Sequence, residues 1–202
     1  MRRWFTAISV MLLAACATPG GQAPDGEARQ AEREQLILER ESWAIRGRIA
    51  VSDGEDGGSA RINWDAGPNR YELWIYAPLA QGTWRLEGDS ESAVLAGPEG
   101  TFRGPDAQSL LIQHLGWHLP VTGLRYWVRG LVAPGPVGGL EFDAKGRLAV
   151  LEQEGWTVTY TDWTSYPELD MPRRIEAEFP PYQVKLVVQD WALRESSAAP
   201  AD

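Results

Sequence analysis

From Trp43 to Arg194 the chain is cut by turn-forming clusters at short intervals: "DGEDGG" at 53–58, "AGPN" at 66–69, "EGDS" at 87–90, "GPEG" at 97–100, "DAKG" at 143–146 and "QEGW" at 153–156. Between them lie runs rich in β-branched and aromatic residues, the pattern of antiparallel meanders joined by tight hairpins. The spacing predicts strands over 43–52, 59–65, 70–77, 83–88, 91–96 and 101–103. A second group follows over 138–143, 147–153, 155–163, 172–179 and 182–193.

The two groups are separated by "PDAQSLLIQHLG". There Ala107, Leu110, Leu111 and Leu115 share one helical face and Gly116 supplies a stop. Another helix starts at Pro120, with Val121, Leu124 and Val128 on its apolar side. A third, over 28–41, lies in "EARQAEREQLILERESW", which holds neither Gly nor Pro. An antiparallel sheet with one solvated face must cover the other with apolar material, and a sheet of so many strands must curl. The expectation is a mainly β domain with a helical lid, in which a strongly curled sheet encloses an apolar cavity.

The N-terminus has a separate logic. Arg2 and Arg3 precede an apolar run from Trp4 to Ala15 that is too short to span a bilayer, so residues 1–15 read as a lipoprotein signal peptide. Leu13, Ala14, Ala15 and Cys16 resemble a bacterial lipobox, in which the cysteine becomes a lipidated N-terminus. Cys16 is the only cysteine, so its thiol is free for a thioether to diacylglycerol. Acyl chains there anchor a protein without a spanning helix. Residues 16–27, rich in Gly, Pro and Ala, read as a flexible tether of roughly 20 Å reach. Residues 28–194 form the domain, and 195–202 are expected to be a disordered tail.

With Arg2 and Arg3 removed, 17 basic residues face 28 acidic ones, a net charge of −11. Such a chain repels phosphate, which argues against nucleic acid and against an electrostatic grip on anionic lipid. No G-x-S-x-G, P-loop or H-E-x-x-H motif occurs, and two histidines leave few ways to build a triad. His114 and His118 stand four apart, but Gly116 between them ends the helix. "DGEDGG" lacks the spacing of a calcium loop and reads as an acidic turn. Glu152 and Glu154 alternate onto a solvent-exposed strand face. The chain therefore reads as a non-enzyme with no metal or cofactor.

Ten tryptophans make an unusual load. In strand 155–163, Trp156, Val158 and Tyr160 share one face and Thr157, Thr159 and Thr161 the other. Rigid rings on one sheet face either fill a core or prop open a hollow for a flexible apolar ligand, and alternation does not separate the two. The inward-facing candidates for such a cavity are Trp64, Leu73, Ile75, Trp84, Leu86, Leu110, Leu115, Trp127, Leu148, Val150, Trp156, Val158, Tyr160 and Leu186. One turn breaks the polar rule. "WIYAPLAQGTW", 74–84, carries Pro78 and Leu79 where Gly, Asn, Asp or Ser is usual.

Seven stretches carry a family resemblance: "WAIRGRIAV" (43–51), Trp64, "YELWIYAPLAQG" (71–82), "LPVTGLRYWVRG" (119–130), "GRLAVLEQEGWTVTY" (146–160), "MPRRIE" (171–176) and "VKLVVQDWAL" (184–193). In order and behind a lipobox, they resemble the outer-membrane lipoprotein receptor LolB family. The resemblance implies a half-open antiparallel β-barrel of about eleven strands closed by a helical lid. It implies a monomer, anchored by lipid at the periplasmic face of the outer membrane, that accepts acylated lipoproteins from the carrier LolA. It also implies that Pro78 and Leu79 form a projecting loop that puts cargo into the membrane. Ala80 departs from the glycine that often follows that leucine. The rival expectation is a tethered structural lipoprotein with a filled core and a protein partner.

Overall fold

The computed structural model describes residues 26–78 and 82–194. A polar helix α1 (Gly26–Leu38) leads into a meander of six strands: β1 (Ser42–Ser52), β2 (Gly57–Ala66), β3 (Tyr71–Tyr76), β4 (Thr83–Gly88), β5 (Ala93–Gly97) and β6 (Gly100–Gly104). Helices α2 (Ala107–Leu115) and α3 (Val121–Trp127) follow. A meander of five closes the chain: β7 (Val137–Phe142), β8 (Leu148–Gln153), β9 (Trp156–Tyr166), β10 (Leu169–Phe179) and β11 (Tyr182–Arg194). Among the described residues no helix is long and apolar enough to cross a membrane.

The strands form one sheet in the order β6-β5-β4-β3-β2-β1-β11-β10-β9-β8-β7, and every neighbouring pair is antiparallel. The first and last strands are thus zipped together at its centre, through a ladder running from Ser42↔Arg194 to Ser52↔Gln183. The edges, β6 and β7, are joined by the segment that carries α2 and α3, so those helices must cross one face of the sheet. That is why the helical signal falls between two runs of strands.

Alternation decides the faces. In β1, Trp43, Ile45, Ile49 and Val51 are buried while Arg46 and Arg48 are exposed. The same period runs through β2 to β5. A bulge interrupts the central ladder between Arg46 and Gly47. A Cβ at position 47 would lie 2.4 Å from the Val187 carbonyl oxygen, so the close approach there needs glycine.

The predicted elements form, with two differences at the C-terminal meander. β9 runs on to Tyr166 and β10 starts at Leu169, before the Pro172 at which the sequence pattern starts it. The ladder absorbs the proline by shifting register between Pro172 and Arg174. Trp191 Nε1 donates to the Pro172 carbonyl at 2.9 Å. The helix expected over 28–41 spans Gly26–Leu38.

Candidate functional site

The inward face of the sheet and the undersides of α2 and α3 form one apolar interior. Trp64, Leu73, Ile75, Trp84, Leu86, Leu110, Trp127, Leu148, Val158, Tyr160 and Leu186 are all buried in it, and Leu115 and Trp156 pack half-buried at its margin. Val150 is the correction. It pairs with Thr159 on the outer face, and Leu151 takes the inward place. The cause is a register shift between Glu141 and Phe142, which puts Leu148 and Leu151 inward three residues apart and breaks the two-residue period.

Rings crowd this interior. Trp43 meets Trp64 edge-on at 5.2 Å, and Trp127 lies 6.1 Å from Trp156, which reaches Phe179 at 5.7 Å. Three kinds of polar group are embedded among them. The Trp64 indole N–H is buried and has no hydrogen-bond partner among the described residues. Arg129, buried with no carboxylate paired to it among the described residues, sits over the rings of Trp43 and Tyr126 at 5.5 Å each, and burial pushes its pKa down to about 10. The Tyr160 hydroxyl donates to the Trp127 carbonyl at 2.9 Å, and burial pushes its pKa up.

The sequence reading missed the residue that fastens α3. Gln153, 1 % exposed, accepts from Trp127 Nε1 and from the Ala133 N–H, each at 3.0 Å, and donates to the Ala133 carbonyl. A signal for it existed. Glu152 and Glu154 on the exposed face oblige the residue between them to point inward. Arg33 of α1, also missed, gave no such signal. It donates to the carbonyls of Arg129 (2.5 Å), Gly130 (2.8 Å) and Asp170 (3.1 Å) and lies over Trp163 at 4.9 Å.

The hairpins β1–β2, β3–β4, β8–β9 and β10–β11 turn at the same end of the sheet, given the registers of the ladders. A depression of about 380 Å³ opens there between the sheet and the cover, lined by Val51, Asp53, Leu115, Trp117, His118 and Tyr182. His118 stacks on Tyr182 at 4.0 Å while His114 stacks on Phe102 at 3.6 Å, so the two imidazoles are engaged with different rings. Asp53 accepts from the backbone N–H of Asp56 and Glu55, and those bonds hold its carboxyl below the ordinary value. "DGEDGG" is thus a hairpin turn closed by its own aspartate.

The β3–β4 connection leaves the sheet at this same end. The Ala77 N–H donates to the Gly82 carbonyl at 3.1 Å across its base, and Pro78 is exposed. Leu79 lies outside the described residues, as does Cys16.

The family profile described as "Outer membrane lipoprotein LolB" matches residues 41–191. The chain belongs to the LolB family. It is 36% identical over 194 residues to the outer-membrane lipoprotein LolB of Alkalilimnicola ehrlichii, covering 95% of this chain and 97% of that one. To the LolB of Chromohalobacter salexigens it is 37% identical, over 95% and 91% of the two chains. The fold is also that of a solved LolA superfamily protein from Nitrosomonas europaea, with a TM-score of 0.54 at 10% identity, covering 84% of this chain and 94% of that one. The LolB match starts within a few residues of β1 and ends inside β11, so it covers both meanders and the cover between them. Helix α1 lies outside it.

Proposed function

We propose that this chain is a lipid-anchored acceptor at the periplasmic face of the outer membrane. It takes lipoproteins from the periplasmic carrier LolA, holds their acyl chains in the apolar interior and inserts them into the membrane. The observation that carries this is the continuous apolar interior, covered by helices joined to the sheet only at its edges, with the Pro78–Leu79 loop leaving the end where the interior opens. Membership of the LolB family supports the same reading. Cys16, acylated, supplies the anchor.

Energetics constrain the route. A triacylated cargo carries on the order of 40 methylenes, so wetting its chains would cost about 30 kcal/mol. Transfer therefore runs from one apolar interior to the next with little chain exposed, downhill because successive sites bind more tightly. The unpaired Trp64 N–H gives the interior a donor for an acyl carbonyl. Leu79 gains only about 1.5–3 kcal/mol on entering lipid, too little to anchor the protein. Its role is local, opening the leaflet beside the mouth.

In a transfer assay from loaded carrier to vesicles, the acylated chain bearing Leu79→Glu is expected to collect cargo and not deliver it. Normal delivery by that variant would end the assignment of the loop. A second reading, a structural lipoprotein scaffold with a protein partner, draws on one observation: the interior side chains pack on one another, with Leu73, Leu86 and Leu148 at 1 % exposure or less. The two part on a titration. An acylated peptide displaces a bound non-polar fluorophore from an acceptor and not from a scaffold.

A further inference from the structure

The outer face of the sheet carries a row of cations that net charge conceals. Register places Arg48 of β1 directly opposite Arg61 of β2, and Val187 of β11 separates Arg48 from Arg174 of β10. Like charges directly opposed across a ladder are unfavourable, so this pairing calls for an anion from outside the chain. Arg48, Arg61 and Arg174 are exposed, and none of the three has an ion pair or hydrogen bond among the described residues. Lys185 beside them pairs with Glu176 at 3.7 Å.

These side chains border an open groove of about 660 Å³. Its floor is the small residues Ala50 and Ser59, its sides are Arg48, Arg61 and Lys185, and its far end is Tyr76, Ala77 and Pro78. The groove therefore runs into the base of the loop. On the same face Trp74 stacks on Tyr76 at 6.2 Å, and aromatic side chains of that kind settle at the level of lipid headgroups. Arg48, Arg61 and Tyr76 thus lie side by side on one rung across β1, β2 and β3, and the loop begins just beyond Tyr76.

We propose that this groove binds the phosphates of phospholipid headgroups, with Arg48 and Arg61 as the donors. The proposal rests on the reading of the Pro78–Leu79 loop as the membrane-entering element, since that loop brings the groove to headgroup depth. Two guanidinium forks over a floor of small residues admit a phosphate where a chain of net charge −11, once residues 1–15 are removed, would otherwise repel it. The net negative charge repels anionic lipid over the surface as a whole, and this row of arginines is a local exception to it.

The test uses the full acylated protein in vesicles of phosphatidylethanolamine and phosphatidylglycerol, in phosphate-free galactolipid vesicles, and in dodecyl maltoside. Arginine modification by phenylglyoxal is followed residue by residue by mass spectrometry. Arg48 and Arg61 are expected to react several-fold more slowly in the phospholipid vesicles than in the other two settings. Arg70 and Arg103, exposed elsewhere, should react alike in all three. Equal rates for Arg48 and Arg61 in both kinds of vesicle overturn the proposal, and so does protection that requires the carrier, which assigns the face to a protein. The doubly substituted Arg48→Gln, Arg61→Gln protein should fold normally, since the change relieves repulsion, yet deliver cargo more slowly to phospholipid vesicles and with weaker salt dependence. Protection that persists in Leu79→Glu alongside normal delivery removes the loop reading and leaves the phosphate site. Lost protection with delivery still dependent on Leu79 does the reverse.

Discussion

At the α3 end of the helical cover, polar groups from several elements converge: Gln153 of β8 on Trp127 and Ala133, Tyr160 of β9 on the Trp127 carbonyl, and Arg33 and Gln30 of α1 on the Gly130 carbonyl. At the α2 end, Ala107, Leu110 and Leu111 rest on β4, β5 and β6 through apolar contact, and His114 stacks on Phe102. Both ends are buried, but they resist displacement differently. Apolar contact is non-directional and survives sliding, whereas a buried hydrogen bond that breaks leaves groups unpaired at a cost of about 1–3 kcal/mol each. On the proposed function, an acyl chain entering an interior already filled by side chains has to move part of the cover, and α2 is the end expected to yield.

The largest expected effect is at Gln153. Gln153→Leu leaves the Trp127 indole N–H and both backbone groups of Ala133 buried without partners, so stability should fall by about 3–6 kcal/mol. Denaturant midpoints measure it, and a loss under about 1 kcal/mol would remove the contrast between the two ends. Arg33→Met comes next, at about 2–4 kcal/mol, because three carbonyls lose a charged donor. Hydrogen exchange should rise in α1 and the 129–131 turn and stay unchanged in α2.

Leu110→Ala tests the other end. A cost of about 2–3 kcal/mol is expected, at the low end of the range for such truncations, since an apolar seam relaxes into the void. The same change should speed uptake of a fluorescent fatty acid, whereas Arg33→Met should not. If Arg33→Met speeds uptake more, the cover opens at α3 and the comparison is reversed.

Particular residues explain what could be read in advance. The eleven strands were legible because most of their turns use Asp, Asn and Gly in hairpin positions and most of their apolar residues keep the two-residue period. The α2 stop was legible because Gly116 takes the left-handed conformation at φ 69°, accessible to glycine at no steric cost. Val150 was misplaced because a register shift in β8 is invisible to alternation, and β10 began early because a bulge accommodates Pro172. Arg33 and the Arg48–Arg61 pair depend on which strands and helices become neighbours. Register and packing, not local pattern, decide that.

The smallest effect is a pH response at the α3 end. Asp143, in the β7–β8 hairpin, is partly desolvated, which raises its pKa. The N–H groups of Arg147 and Lys145 and the Arg147 guanidinium outweigh that and hold it below the ordinary value near 3.8. Arg147 also reaches Asp170 at 3.3 Å and lies over Trp163, the ring that carries Arg33. A carboxyl whose folded pKa is depressed contributes fully above its unfolded value and loses that contribution as the pH falls through the lower, folded one. Acidification from pH 5 toward pH 2 should therefore loosen the anchored end, with exchange rising first in the β7–β8 hairpin and around Trp163. Asp143→Asn should show the same local loosening already at pH 7 and flatten the acid response there. Exchange that rises first in α2 instead would mean that the apolar seam depends on carboxylates and that the two ends are not fastened by different physics.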